Sequence, residues 1–143
     1  MTDKNTNEDF RIRFYDSYVS NFNTHNAELS EQDHRDFAAW ASARYLPSIE
    51  HLPKDAKILE LGSGHGRMLH FLKSQGFTNA LGIDLSDEQV RIARAAGLMA
   101  EVADMTAFLE TKHALYDAII LLDVVEHFSR NELLDLFGLK RQA

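Results

Sequence analysis

The sequence predicts an α/β fold built on a doubly wound parallel sheet. From residue 56 onward, short apolar runs alternate with helical patterns, an order that is typical of successive β-α-β units. Right-handed crossovers between parallel strands place helices on both faces of such a sheet. The first strand also runs into glycines at 62, 64 and 66 and then directly into a helix, which is a common beginning for this class of fold.

The N-terminal part of the sequence predicts helices that precede the sheet. Apolar side chains at positions 10, 14, 18 and 22 have helical spacing and predict a short helix from about residue 9 to about residue 20. Ser30, with Asp33 three residues later, gives a capping-box signal for a second helix from about 31 to about 50. Pro47 is expected to interrupt this helix.

The remaining elements alternate in type. Strands are predicted at 56–62, 79–86, 98–104 and 116–123, and helices at 65–75, 86–97, 105–113 and 129–137. Ser86 is expected to cap the second of these helices, and Gly76 and Gly97 to end the first and second. We therefore expect two parts: a helical or lid segment at 1–52 and a sheet domain at 53–143.

Composition limits the classes of function. The 143 residues are 45% apolar and 26% charged and contain no cysteine, so disulfides and thiolate metal sites are excluded. The lack of cysteine suits a cytoplasmic protein. The sequence shows no secretory signal and no apolar stretch of about 18–20 residues, so no membrane partner is predicted. The net charge of −7 argues against nucleic acid and favours a small-molecule partner.

The glycine-rich segment at 58–67 predicts a ligand site. Glycine permits a tight turn and close approach of the backbone to a ligand, and the free N–H groups of the next helix stabilise a carboxylate or phosphate. A dinucleotide-binding G-x-G-x-x-G would need its third glycine at the position of Arg67, whereas this glycine stands at Gly66. No G-K-S/T follows, so the segment is not a P-loop.

Two segments resemble one known family. E-L-G-S-G-H-G at 60–66 looks like motif I of class I S-adenosylmethionine-dependent methyltransferases, and Y-D-A-I-I-L-L-D-V-V-E-H-F at 116–128 resembles the fourth strand of their small-molecule branch. The resemblance covers about residues 55–137. It implies a Rossmann-like sheet, S-adenosyl-L-methionine as cofactor, and in-line transfer of a methyl group to a small-molecule acceptor.

The resemblance also implies a set of cofactor-binding residues. The loop would lie under the methionine portion of the cofactor through Glu60, Gly62, Ser63, Gly64, His65 and Gly66. Asp84, followed by Leu85, would bind both ribose hydroxyls, Asp104 the adenine amino group, and Met105 the adenine ring. Asp123 would line the methionine end through its backbone. Asp84 and Asp104 have an alternative interpretation as caps of the helices that follow them.

The candidates for catalysis are less specific. His127 follows the fourth strand, where ligands of open α/β sheets bind, and an imidazole suits proton transfer at neutral pH. Glu126 is an alternative base or a charge at a helix N-terminus. Tyr18, with Tyr15, belongs to a Y-D-x-Y group that many relatives fold over the cofactor as a lid, although a packing role remains open. The histidines have no metal-ligand spacing, so no metal is predicted, and Phe37 and Trp40 are assigned to packing.

The sequence departs from the family after its fourth strand. The family has seven strands in the order 3-2-1-4-5-7-6, whereas this chain supplies four, in a predicted order 3-2-1-4, and lacks strands 5–7. We expect a truncated chain whose apolar fourth strand leaves an exposed edge through which the protein associates into oligomers. A non-catalytic binding or interaction module is therefore an alternative to an enzyme. A nicotinamide-dependent oxidoreductase is a third, disfavoured by Arg67.

Overall fold

The computed structural model describes residues 30–112, 115–122 and 124–136. The predicted helix at 9–20 lies outside them. In chain order the elements are α1 (Glu31–Arg44), α2 (Leu46–Ile49), β1 (Ile58–Leu61), α3 (Arg67–Ser74), β2 (Ala80–Asp84), α4 (Asp87–Ala95), β3 (Met99–Val102), α5 (Met105–Lys112), β4 (Ala118–Leu121), a 3₁₀ turn (Val125–His127) and α6 (Arg130–Leu136). Each predicted strand and helix from residue 31 onward is present, with somewhat shorter bounds than the sequence suggested.

The four strands form one parallel sheet in the order β3-β2-β1-β4, which confirms the predicted order. In this register Leu61, the last residue of β1, pairs with Ile83 of β2 and with Leu121 of β4. The carboxyl ends of the strands therefore meet at one edge of the sheet, which is where ligands bind in open α/β folds.

Strand β1 is buried along its whole length, and its side chains alternate between two apolar clusters. Ile58 packs with α3 residues such as Phe71 and with Ala41 of α1. Leu59 and Leu61 belong to the cluster on the other face, which includes Phe108 of α5. Helix α1 therefore shares a core with the sheet and brings its side chains close to the edge where β1 ends.

The predicted caps of α1 and α4 are confirmed. At α1, Ser30 Oγ accepts a hydrogen bond from Asp33 N at 3.1 Å, while the Asp33 carboxylate accepts one from Ser30 N at 3.0 Å. At α4, the fully buried Ser86 accepts a hydrogen bond from Gln89 N at 3.3 Å. The packing role predicted for Trp40 is only partly correct, because its ring contacts Phe37 and yet remains 46% exposed.

Strand β4 is the edge strand on its side of the described sheet. Its apolar run is typical of a strand buried on both faces, but Ile119 is 38% exposed and its neighbours are only partly buried. In the part of the chain that the structure describes, no helix combines the length and the apolar character needed to cross a membrane.

Candidate functional site

The glycine loop between β1 and α3 requires its glycines. Gly62, Gly64 and Gly66 have φ values of 70°, 55° and 93°, a region that other residues rarely occupy. A Cβ atom at Gly62 would lie 2.5 Å from Val124 Cγ2. The loop is also tied to the end of β2, because Gly62 N and Ser63 N both donate hydrogen bonds to the carbonyl oxygen of Ile83, at 2.8 and 3.0 Å.

A further glycine, Gly82, allows the loop to pack closely against the sheet. A Cβ atom at Gly82 in β2 would lie 2.5 Å from Ser63 Cβ and 2.6 Å from Leu69 Cδ1. The loop and the first turn of α3 therefore approach this strand more closely than any side chain permits. Sequence reasoning gave Gly82 no role, although a single glycine inside a strand pattern is itself a signal of close approach.

A cavity of about 440 Å³ opens beside this loop at the carboxyl ends of the strands. It brings together most of the predicted cofactor-binding residues, namely Glu60, Gly62, Ser63, Gly64, His65, Asp84, Leu85, Asp104 and Met105. Phe37 and Arg67, which the sequence analysis did not assign to the site, also line the cavity. The lining is completed by residues that the sequence did not single out, namely Met68, Ile83, Gln89, Ala103, Leu122, Val124 and Phe128. Gly66 instead lies behind the loop as the buried N-cap of α3.

Asp84 joins the glycine loop to the start of α4. Its Oδ2 accepts a hydrogen bond from Gly64 N and its Oδ1 one from Ser86 N, both at 2.9 Å. Ser86 fills the cap of α4, so Asp84 is not the helix cap of the alternative interpretation. Burial raises the pKa of the Asp84 carboxyl, and the backbone N–H groups of Ser86 and Gly64 oppose that rise by stabilising the charged form.

Asp104 caps a helix and also lines the cavity. Its Oδ1 accepts a hydrogen bond from Ala107 N at 2.9 Å, which caps the first turn of α5. The same residue lines the cavity together with Met105. A capping carboxylate retains a second oxygen, so the helix contact leaves Asp104 able to bind a ligand.

Glu60 is a buried carboxyl group in the cavity wall. The residue is 3% exposed, and its Oε2 has no hydrogen-bond partner among the described residues. Burial raises the pKa of Glu60 well above its ordinary value, and the nearby charge of Asp84 raises it further. Since a buried polar group without a partner costs about 1–3 kcal/mol, this arrangement is explained most simply by a ligand that supplies the missing hydrogen-bond partner.

His65 and Ser63 carry two more polar atoms of this kind. His65 Nδ1 lies 3.4 Å from Gln89 Oε1, whereas its buried Nε2 and the Oγ of Ser63 have no partner within the described chain. Burial lowers the pKa of His65, and the hydrogen bond to Gln89 partly offsets that effect. The imidazole is therefore neutral at physiological pH.

Phe37 and Arg67 form one side of the cavity. Phe37 belongs to α1 and packs edge-on against Phe71, with 6.4 Å between ring centroids. The guanidinium carbon of Arg67 lies 5.3 Å from the Phe37 ring centroid, within the range of a cation–π contact. The purely structural role assigned to Phe37 from the sequence is thus incomplete, because helical periodicity does not show which apolar residue reaches a ligand site.

The remaining predicted site residues are placed only in part. His127 ends the 3₁₀ turn that follows β4, between the cavity residues Val124 and Phe128, so its backbone is close to the site. Glu126 in the same turn is exposed. Asp123, Tyr15 and Tyr18 lie outside the described residues. The identity of a general base stays a prediction.

Comparisons with known proteins identify related chains. A family model described as a methyltransferase domain matches residues 25–137, whereas no curated protein matches the sequence. Among solved structures, the PH0226 protein from Pyrococcus horikoshii OT3 is 24% identical over 86% of this chain, with a TM-score of 0.67. A SAM-dependent methyltransferase from Archaeoglobus fulgidus is 21% identical over 74% of this chain, with a TM-score of 0.61.

A third solved structure, magnesium protoporphyrin IX methyltransferase from Synechocystis PCC 6803 with bound SAM, is 17% identical over 96% of this chain. Its TM-score is 0.64, and the match spans 71% of its own length. The matches span only 58% and 46% of the P. horikoshii and A. fulgidus proteins. These likenesses support the Rossmann-like fold, and the chain corresponds to about half of the first two relatives.

Proposed function

The chain belongs to the methyltransferase-domain family, and on that premise we propose that it binds S-adenosylmethionine and transfers its methyl group to a small-molecule acceptor. The observation that carries the proposal is the cavity at the carboxyl ends of β1 and β2. There Asp84 holds a glycine loop with three positive φ angles. Beside it lies Glu60, whose buried Oε2 has no hydrogen-bond partner among the described residues.

The residues of the cavity fit this cofactor in charge and in shape. S-adenosylmethionine carries a sulfonium and an ammonium group, and the wall presents the carboxyl groups of Glu60, Asp84 and Asp104. A Cβ atom at Gly62 would clash with Val124, and one at Gly64 would clash with Gln89. Only glycine therefore fits at these two positions of the loop. A volume of about 440 Å³ lies within the range of about 300–1,000 Å³ that is usual for small-molecule sites.

Each end of the cofactor has candidate partners in this chain. Asp84 would accept hydrogen bonds from the ribose hydroxyls, each charge-assisted bond contributing about 1.5–3 kcal/mol. Asp104 and Met105 would hold the adenine. At the other end, Glu60 Oε2 would accept from the ammonium group, and N–H groups of the loop and of the start of α3 favour the carboxylate.

When bound, S-adenosylmethionine supplies a methyl group on a sulfonium, which is already a good leaving group. The protein then contributes by positioning the cofactor and the acceptor and by excluding water. Phe37, Val124 and Phe128 give the cavity an apolar side, and holding an acceptor in line with the methyl group supplies on the order of 7–11 kcal/mol of the barrier. We propose His127 as the group that removes the acceptor proton.

Two observations favour a small-molecule acceptor. The net charge of −7 disfavours a nucleic acid. A protein with the same fold, the Synechocystis enzyme, is named for a small-molecule acceptor, magnesium protoporphyrin IX. Because the chain spans about half of the first relatives, a binding module without transfer activity is the alternative, and turnover with an acceptor separates the two.

The proposal is tested by calorimetric titration of the chain with S-adenosylhomocysteine, with NAD as a control ligand. Asp84→Ala should weaken binding by about tenfold or more, since each charge-assisted hydrogen bond contributes about 1.5–3 kcal/mol. Asp87→Ala is the matched control, because it removes the same charge from an exposed side chain that pairs with Arg91 at 2.8 Å. Binding of NAD in preference to S-adenosylhomocysteine, or equal effects of the two variants in folded protein, would contradict the proposal.

A further inference from the structure

The contact between His65 and Gln89 bears on which nitrogen of the imidazole carries its proton. His65 stands between Gly64 and Gly66, and its Nδ1 lies 3.4 Å from the side-chain carbonyl oxygen of Gln89. A carboxamide oxygen can only accept a hydrogen bond, so this contact favours the tautomer of the neutral ring with its proton on Nδ1. Nε2 is then left with a free lone pair.

Gln89 is itself held in place by its surroundings. It is 8% exposed in the first turn of α4, and its backbone N–H donates to the capping hydroxyl of Ser86 at 3.3 Å. Its Oε1 lies so close to the glycine loop that a Cβ atom on Gly64 would come within 2.8 Å of it. The loop, the cap of α4 and the tautomer of His65 therefore form one connected arrangement.

The second ring nitrogen of His65 belongs to a residue of the cavity wall. Nε2 is buried, has no hydrogen-bond partner among the residues that the structure describes, and belongs to a residue that lines the cavity. Burying a polar atom without a hydrogen-bond partner is energetically unfavourable. A ligand that donates an N–H or O–H group to Nε2 would satisfy it.

We propose that His65, held by Gln89 with its proton on Nδ1, accepts a hydrogen bond from an O–H or N–H group of the bound cofactor, and that protonation of Nε2 releases the cofactor. This inference rests on the proposed function, since it concerns regulation of the same site. The donor is either a ribose hydroxyl or the ammonium group of the methionine portion. Gln89 is a positioning residue, because it acts through His65.

The charged groups around His65 set the direction of the pH effect. Arg67, at the start of α3, lowers the pKa of His65, as burial does, and Asp84, at the end of β2, raises it. Glu60 lies in the same cavity. Above its pKa the ring is a neutral acceptor, whereas below it the imidazolium has no acceptor and repels a cation. S-adenosylmethionine, with its sulfonium charge, should therefore lose more affinity in acid than S-adenosylhomocysteine does.

The test is calorimetric titration of the full chain with both compounds between about pH 5 and about pH 8, the interval in which histidine changes charge. At the upper end, His65→Asn should bind both compounds about tenfold more weakly, which corresponds to about 1.4 kcal/mol. In this variant the affinity for S-adenosylmethionine relative to that for S-adenosylhomocysteine should no longer fall in acid. His51→Asn is the matched control, because His51 is exposed and remote from the cavity lining. It should behave as the wild type.

Variants of Gln89 test whether this residue acts through His65, because a role in folding alone would not shift the pH midpoint of the affinity change. Gln89→Leu removes the hydrogen bond that raises the pKa of His65, so the midpoint of the affinity change should move to lower pH. Gln89→Glu places a negative charge beside Nδ1 and should move the midpoint to higher pH. Imidazole nitrogen chemical shifts measured by NMR report the tautomer directly, with His65→Asn identifying the resonance.

The outcomes separate this inference from the function on which it rests. Absence of binding at every pH would reject the proposed function. Binding with an acid decline that persists in His65→Asn and disappears in Glu60→Gln would overturn the inference alone, as would a resonance typical of a proton on Nε2. Methylthioadenosine, which has the ribose and lacks the amino-acid portion, identifies the donor: equal weakening of both ligands by His65→Asn assigns it to the ribose, and weakening of S-adenosylhomocysteine only assigns it to the ammonium group.

Discussion

Glu60→Gln should stabilise the chain in the absence of ligand and weaken its binding of cofactor. Glu60 is 3% exposed, and Oε2 is unpartnered within the described residues. Its pKa is raised from the ordinary value of 4.5, first by burial and then by the charge of Asp84. Glutamine has nearly the same shape and no charge to bury, so the substitution isolates the effect of ionisation.

The size of the effect follows from proton linkage. Between pH 4.5, the ordinary value, and the raised pKa of the folded state, the native protein retains a proton that the unfolded chain has lost. The free energy of unfolding therefore falls as pH rises, by up to about 1.4 kcal/mol for each pH unit. This decline is absent below the unfolded-state pKa and ends above the folded-state pKa. Glu60→Gln lacks it, so its advantage in stability should grow with pH across that interval.

The assay is denaturant unfolding of both proteins from about pH 5 to about pH 8, followed by the same series with saturating S-adenosylhomocysteine. Ligand at about a hundred times its dissociation constant should add about 2.7 kcal/mol to the wild type. It should add less to Glu60→Gln at equal ligand concentration, because Glu60 can ionise against the ammonium group whereas glutamine cannot. A difference in stability that does not change with pH would refute the reasoning. So would equal stabilisation of the two proteins by ligand.

Three other substitutions have expected outcomes. Gly82→Ala should weaken S-adenosylhomocysteine binding in calorimetry while the chain stays folded by circular dichroism, because the new Cβ would lie 2.5 Å from Ser63 Cβ and displace the loop; unchanged affinity would contradict this. Ser86→Ala should lower the free energy of unfolding by about 1 kcal/mol, the usual effect of losing an N-cap, whereas a loss below a few tenths would show that the cap contributes little. Phe37→Ala should destabilise the fold modestly, by about 1–2 kcal/mol for a partly buried ring, and weaken ligand binding; Trp40→Ala, at an exposed ring outside the cavity lining, is its control and should leave affinity unchanged.

The backbone of the fold was largely predictable because its signals are local. Ser30 and Asp33 are three residues apart, and the capping box that they form depends on nothing else in the chain. Gly76 and Gly97 have φ values of 88° and 75° just after α3 and α4, as expected of glycines that end helices. The order of the strands followed from the resemblance of two segments to a family, and the placing of helices on both faces followed from the handedness rule for parallel connections.

The interior of the site was less predictable, because its contacts join residues that are far apart in sequence. The hydrogen bond between His65 and Gln89 spans 24 residues, and the approach of Gly82 to Ser63 depends on the packing of strand against loop. Phe37 reaches the cavity only because α1 lies against α3. Periodicity assigned Phe37 to a buried face correctly, but it does not specify what else that face contacts.

The distribution of unsatisfied polar atoms gives the strongest physical reason to regard the cavity as a binding site. Within the described residues, the buried side-chain atoms without partners belong to Glu60, Ser63 and His65, all of which line one cavity. Native proteins pair nearly all their buried polar groups, and each exception costs about 1–3 kcal/mol. A cost of that size, concentrated on one strand end and the turn that follows it, is most readily understood as preorganisation for a ligand that supplies the donors. These side-chain positions indicate a ligand site independently of the family resemblance.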